Sequence, residues 1–148
     1  MSKKKLAIWG FLLLTVGVIV EEYLRQVPLT ALYYTIDEEF TEDALRFVVV
    51  GDVGAGDAGQ KKVAAQLEEL CKTYAPHAML FLGDNFYNHG VASVDDPQWQ
   101  IKYLDMYGGD CLGQIKVYAV LGNHDYKGSV SAQILYTEKD PTGRWIMP

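Results

Sequence analysis

Three short apolar runs, each ended at once by glycine and a side chain carrying an oxygen or nitrogen donor, constrain this chain more than any other feature. The first, Leu45 to Val50, closes on Gly51-Asp52. The second, Ala78 to Leu82, closes on Gly83-Asp84, and the third, Lys116 to Leu121, on Gly122-Asn123. Short apolar runs bounded by turn residues read as strands, the first two as buried ones. Between the first two lies a helical pattern over Ala58 to Tyr74. Between the second and third lie a polar loop and a helix over Asp96 to Met106, with Pro97 suited to its first turn. Strand, helix, strand, helix, strand predicts an α/β domain with a largely parallel sheet.

In such a sheet the carboxyl ends of the strands converge on one crevice, where ligands bind. The turns GDVG (51–54), GDNFY (83–87) and GNHDY (122–126) therefore direct Asp52, Asp84, Tyr87, Asn123, His124 and Asp125 to one region. A single Gly-Asp after a strand is ordinary turn chemistry; three donor-bearing turns in register point to a site. Carboxylate, phenolate and amide oxygens suit hard cations. A pair of such cations, with a carboxylate between them to offset their repulsion, clamps a phosphate ester and acidifies water. Gly54, Gly56 and Gly59 also spell the G-x-G-x-x-G of a dinucleotide-binding oxidoreductase. That alternative leaves GDNFY and GNHD unexplained, and it sets the Asp52 charge where a pyrophosphate needs a helix N-terminus unopposed. A P-loop is excluded, because Gln60 stands where its lysine belongs.

GD-x-G, GDNFY and GNHD, in this order and spacing, resemble the metallophosphoesterases, and GDNFY narrows the resemblance to the purple acid phosphatases. The stretch GSVSAQILYTEKDPTGRW (128–145) is similar to the segment after GNHD in the tartrate-resistant type. The resemblance implies two mixed sheets packed face to face with helices outside, here cut off after about three strands. It implies hydrolysis of phosphate monoesters with two metal ions, Fe(III) and a divalent Fe, Zn or Mn. Matched position by position, it makes Asp52 the first ligand of the ferric ion, Asp84 the bridging aspartate and Tyr87 the tyrosinate ligand. Asn123 becomes the amide ligand of the divalent ion. His124 becomes the pocket histidine that supports the transferring phosphoryl group; Asp125, next in sequence, reads as its orienting partner, because a catalytic imidazole needs a partner on its other nitrogen. The family completes both ions with three histidines from two later motifs, which this chain lacks; His77 and His89 match neither. The expectation is the N-terminal half of a phosphoesterase domain, residues 45–148, not expected to turn over substrate by itself. An inactive secreted or anchored remnant acting as a binding protein is the competing reading.

Lys3, Lys4 and Lys5, the uncharged run Leu6 to Val20, and the closing Glu21 and Glu22 have the form of a secretory signal. The run is shorter than the roughly 20 residues a membrane span requires. Left uncleaved, residues 1–24 would serve as an anchor with the lysines cytoplasmic. Residues 25–44, with Pro28 and the cluster Asp37, Glu38, Glu39, Glu42 and Asp43, read as an acidic linker. Either way the rest of the chain is expected outside the cytosol: extracellular, lysosomal or membrane-anchored. A net charge of −6 argues against a nucleic-acid partner. Cys71 falls on the stripe Val63, Leu67, Leu70, Cys71, Tyr74, which predicts a buried thiol; the sequence leaves its pairing with Cys111 open.

Overall fold

The computed structural model describes Thr41 and residues 43–148. The segment read as signal or anchor, and most of the acidic linker, lie outside the described residues. Among the described residues no helix is long and apolar enough to cross a membrane.

The strands are β1 (Phe47–Val50), β2 (Ala78–Phe81), β3 (Lys116–Ala119) and β4 (Trp145–Ile146), and they form one sheet in the order β1-β2-β3-β4. Every pair is parallel, with Val49 beside Leu80, Leu80 beside Tyr118 and Tyr118 beside Ile146. The α/β class read from the sequence therefore holds, but the sheet is wholly parallel and one strand longer than expected. The two-residue β4 is too short to give an apolar period, so it left no trace in the sequence.

Helix α1 spans Ala58–Tyr74. Asp57 caps it by accepting from the Gln60 amide at 2.9 Å, and Ala75, in the left-handed region, ends it by returning its own amide to Cys71 O at 2.9 Å. The expected helix near Pro97 begins later, as a π-helix over Trp99–Leu104 that runs into the short α2 (Asp105–Tyr107). Asp96 stays outside it and caps the preceding loop, accepting from Ala92 N at 2.7 Å and Gln98 N at 2.9 Å. Helix α3 (Val130–Lys139), capped by Ser129, was not separated from its loop by the sequence pattern.

Because each strand lies beside its predecessor on the same side, right-handed crossovers carry every helix to one face of the sheet. Burial follows that geometry. Met79, Phe81, Val117, Ala119 and Trp145 point into the helices and are buried, whereas Phe47, Val49, Tyr118 and Val120 on the opposite face are about half exposed. The first run was expected to be a buried strand; instead Val48 and Val50 are half-buried and Phe47 and Val49 about half exposed.

The covered face is packed with rings. Trp99 stacks on Tyr136 with centroids 3.5 Å apart, and Trp145 meets Trp99 edge-on at 5.0 Å. Both indole N–H groups are satisfied, by Ser93 O and Gln133 O at 3.0 Å. The stripe read on α1 turns out rotated. Gln60, Ala64 and Cys71 face inward, while Val63, Leu70 and Tyr74 are about half exposed. This helix carries apolar residues on two faces, and the inward one is fixed by what Gln60 and Cys71 bond to.

Cys71 is buried as expected, but not as a thiol: it is disulfide-bonded to Cys111. Glu68, one turn earlier, accepts from the amides of Cys111 and Leu112 at 2.9 and 3.0 Å, so the same loop is tied to α1 twice. The bridge closes a separation of 40 residues, which by the chain-entropy estimate is worth about 4 kcal/mol. Cys111→Ser is expected to lower unfolding free energy in urea by about that amount, and a reductant should reproduce the loss in the parent protein.

Candidate metal centre

The three turns meet at the carboxyl edge of the sheet, and close backbone approach is what lets them. Gly54 lies so near the second turn that a β-carbon there would fall 2.0 Å from Asn85 O, and Tyr87 N donates to Gly54 O at 2.9 Å. This glycine serves the meeting of two loops, which removes the main support for a dinucleotide fingerprint. Asp52 and Asp84 both sit in the left-handed region, with φ of 57° and 53°. Non-glycine residues there are uncommon and collect at functional sites. The Asp52 amide is held by Gly83 O at 3.1 Å.

The two aspartates converge on Tyr87. Its hydroxyl is hydrogen-bonded to Asp52 Oδ1 and lies 2.8 Å from Asp84 Oδ2. A phenol has one hydrogen, so it can satisfy only one of two carboxylates at a time. The hydrogen bond to Asp52, then burial and the bond to Asp84, hold the Tyr87 phenol far above its ordinary titration range. The Asp84 carboxyl is held below its usual range, chiefly by the His124 amide, which donates to Oδ1 at 2.9 Å and outweighs desolvation. Among the described residues no three His, Cys, Asp or Glu side chains gather as a metal-holding group; the cluster is two carboxylates and a phenol. Such an oxygen-rich set, short of hydrogens to share, fits a hard cation.

His124 stands beside this cluster, its ring centroid 4.4 Å from that of Tyr87. Its Nδ1 lies 2.8 Å from Asn88 O and 3.3 Å from Lys127 Nζ. The shorter contact is to a carbonyl, which only accepts, and so favours the hydrogen on Nδ1; the Lys127 ammonium, which only donates, is then a neighbour and not a hydrogen-bond partner, and Nε2 is the nitrogen left for a ligand. The Asn123 side chain is exposed and has no hydrogen-bond partner among the described residues. His77 lies away from the site: it pairs with Arg46, accepting from Arg46 N at Nδ1 and donating its own amide to Arg46 O.

Asp125 does not orient His124. It is fully buried and points the other way, accepting from Asn85 N at 3.0 Å and Gly122 N at 2.9 Å through Oδ2. Through Oδ1 it accepts from Phe86 N and from Gln133 Nε2 of α3, both at 3.1 Å. Four donors around one carboxylate lock the second and third turns together. The site's histidine is oriented by the Asn88 carbonyl instead, a main-chain group that no side-chain pattern could reveal.

Two aspartates in the left-handed region and a phenol thus form an oxygen-rich cluster at the carboxyl edge of a parallel sheet, which is not the cradle of a dinucleotide. Comparisons with known proteins give the family. The Calcineurin-like phosphoesterase family model matches residues 45–148, and the chain belongs to that family. It is 36% identical over 107 residues to "Purple acid phosphatase 3" of Arabidopsis thaliana, covering 72% of this chain and 29% of that protein. It is 38% identical over 110 residues to "Tartrate-resistant acid phosphatase type 5" of Oryctolagus cuniculus, covering 70% and 33%. Among solved structures it resembles "GAP50 the anchor in the inner membrane complex of Plasmodium", with TM-score 0.64 and 33% identity over 70% of this chain and 34% of that one. The chain thus spans about a third of the length of the curated relatives it matches.

Proposed function

We propose that residues 45–148 supply the first half of a two-metal phosphomonoesterase centre. Asp52, Asp84 and Tyr87 would hold Fe(III), and Asp84 would be shared with a divalent Fe, Zn or Mn that Asn123 also binds. The observation that carries this reading is the convergence of Asp52, Tyr87 and Asp84 on one hydroxyl at the strand ends. When bound, such ions acidify water and neutralise the phosphate group. The chain's own residues set the geometry. The two left-handed aspartates converge their carboxylates on the Tyr87 hydroxyl, and the phenol would give up its hydrogen to serve as a ligand. His124 presents Nε2 toward the ester's phosphoryl and leaving oxygens, held by Asn88.

The disulfide supports a location outside the cytosol, since such bonds persist in oxidising compartments. It accords with residues 1–24 acting as a secretory signal or anchor and residues 25–44 as a linker. The likeness to a protein described as a membrane-complex anchor favours a second reading, an anchored binding protein without turnover.

A chimera separates the two. Residues 45–148 replace the matching span of a tartrate-resistant acid phosphatase, which provides the remaining donors. The enzyme reading expects turnover of p-nitrophenyl phosphate at acidic pH, lowered at least about a hundredfold by Asp84→Asn, as for loss of a group that stabilises transition-state charge. It also expects a broad visible band with iron, abolished by Tyr87→Phe. Residues 45–148 alone are expected to hydrolyse the ester no faster than their Asp84→Asn variant. A chimera that binds iron without colour, or that Asp84→Asn does not slow, would sink the enzyme reading.

A further inference from the structure

We propose that Lys102, which no sequence motif singles out, is a positioning residue that holds the Tyr87 loop against the Asp52 turn. The purpose assigned to it rests on the reading of Tyr87 as a site residue; the contacts themselves do not. Lys102 stands in the π-helix Trp99–Leu104, a widened form of helix that recurs at functional sites. Its ammonium donates to the carbonyl oxygen of Tyr87 and, across 2.7 Å, to Gln98 Oε1. Gln98 in turn donates through Nε2 to Gly90 O at 2.8 Å, gripping the far end of the same loop.

The stem of Lys102 meets the other turn. Gly56 has φ of 75°, and a β-carbon there would come within 2.9 Å of Lys102 Cε, so the stem lies directly on this glycine. The main chain completes the link: buried Gln60 donates from Nε2 to Lys102 O at 2.7 Å and accepts from Gly56 N at 2.6 Å. One residue therefore touches the turn that carries Asp52 and the loop that carries Tyr87. Its charge is directed at a main-chain carbonyl and an amide, so it can fix the loop without competing with a metal for the carboxylates.

The test uses the full chain with two variants, Lys102→Met, which keeps the stem, and Lys102→Arg, which keeps the charge. Tyrosine is labelled with carbon-13 in the ring, the Tyr87 signal being assigned by Tyr87→Phe, and amide exchange is followed for residues 84–90. In Lys102→Met, exchange there should rise about tenfold, as for loss of one charge-assisted hydrogen bond. The Tyr87 signal should move toward those of exposed tyrosines. Lys102→Arg should restore both, with thermal midpoints near the parent's. An unmoved Tyr87 signal in Lys102→Met, or exchange raised evenly through α1 and the sheet, overturns the proposal by making Lys102 merely structural. Iron binding that is indifferent to Tyr87→Phe sinks the reading of Tyr87 instead, and with it the purpose assigned to Lys102; intact iron binding with unmoved exchange sinks Lys102 alone.

Discussion

Gly122→Ala is expected to cost at least about 3 kcal/mol of folding free energy, the upper end for a side chain forced into packed surroundings. A β-carbon at this position would lie 2.2 Å from both the amide nitrogen and Oδ1 of Asp84. Neither side can move away cheaply. Gly122 N is held by Asp125 Oδ2 at 2.9 Å, and the same oxygen holds Asn85 N at 3.0 Å, next to Asp84. The strand just before is fixed as well, because Val120 N donates to Phe81 O at 3.0 Å. Gly143→Ala makes the comparison sharp. Its φ is 63°, yet nothing stands within 4 Å of the added carbon, so only the backbone penalty of roughly 1–2 kcal/mol applies. Urea unfolding of the two variants side by side checks the difference. Equal losses would mean that the second and third turns yield readily to the added carbon, and that their contact does not make Gly122 necessary.

Asp125→Ala is expected to be at least as damaging, about 4 kcal/mol, because it strands several buried donors at once. The amides of Asn85, Phe86 and Gly122 and the side-chain amide of Gln133 all end on this carboxylate. Asp125→Asn keeps one accepting oxygen but turns an NH2 group toward two of the donors, so it should fall between parent and alanine. The role expected of Asp125 from its place beside His124, orienting that ring, makes a different forecast: a folded protein of near-parental stability with altered turnover only. Calorimetry of Asp125→Ala decides between them, and a thermal midpoint near the parent's would restore the older role.

The contrast between His124 and Asp125 shows what a sequence of this kind does and does not reveal. Asp52, Asp84 and Tyr87 were legible because a strand ending in Gly-Asp fixes both where a side chain lies and which end of the sheet it serves. Asp125 follows a motif histidine, but the two share a tight turn, His124 capping the 3-10 helix Asp125–Lys127, where neighbouring side chains diverge. Proximity in sequence was therefore a poor guide to partnership. The α1 stripe was misread for a related reason. Val63, Leu70 and Tyr74 fit an apolar period as well as Ala64 and Cys71 do, and only the bonds of Gln60 to Lys102 and of Cys71 to Cys111 select the face. Lys102 was invisible altogether, since its ammonium reaches a main-chain oxygen, that of Tyr87, distant along the chain.

A sheet whose spatial order repeats its chain order can be laid down as the polypeptide leaves the ribosome. Each strand finds its neighbour in the βα unit just made, so no strand waits for a later one to fill a gap between earlier strands. Short loop closures of this sort favour rapid pairing. The same order leaves Val49, Tyr118 and Val120 presenting an apolar row as soon as β3 docks. Apolar surface exposed in this way during synthesis favours association between nascent chains.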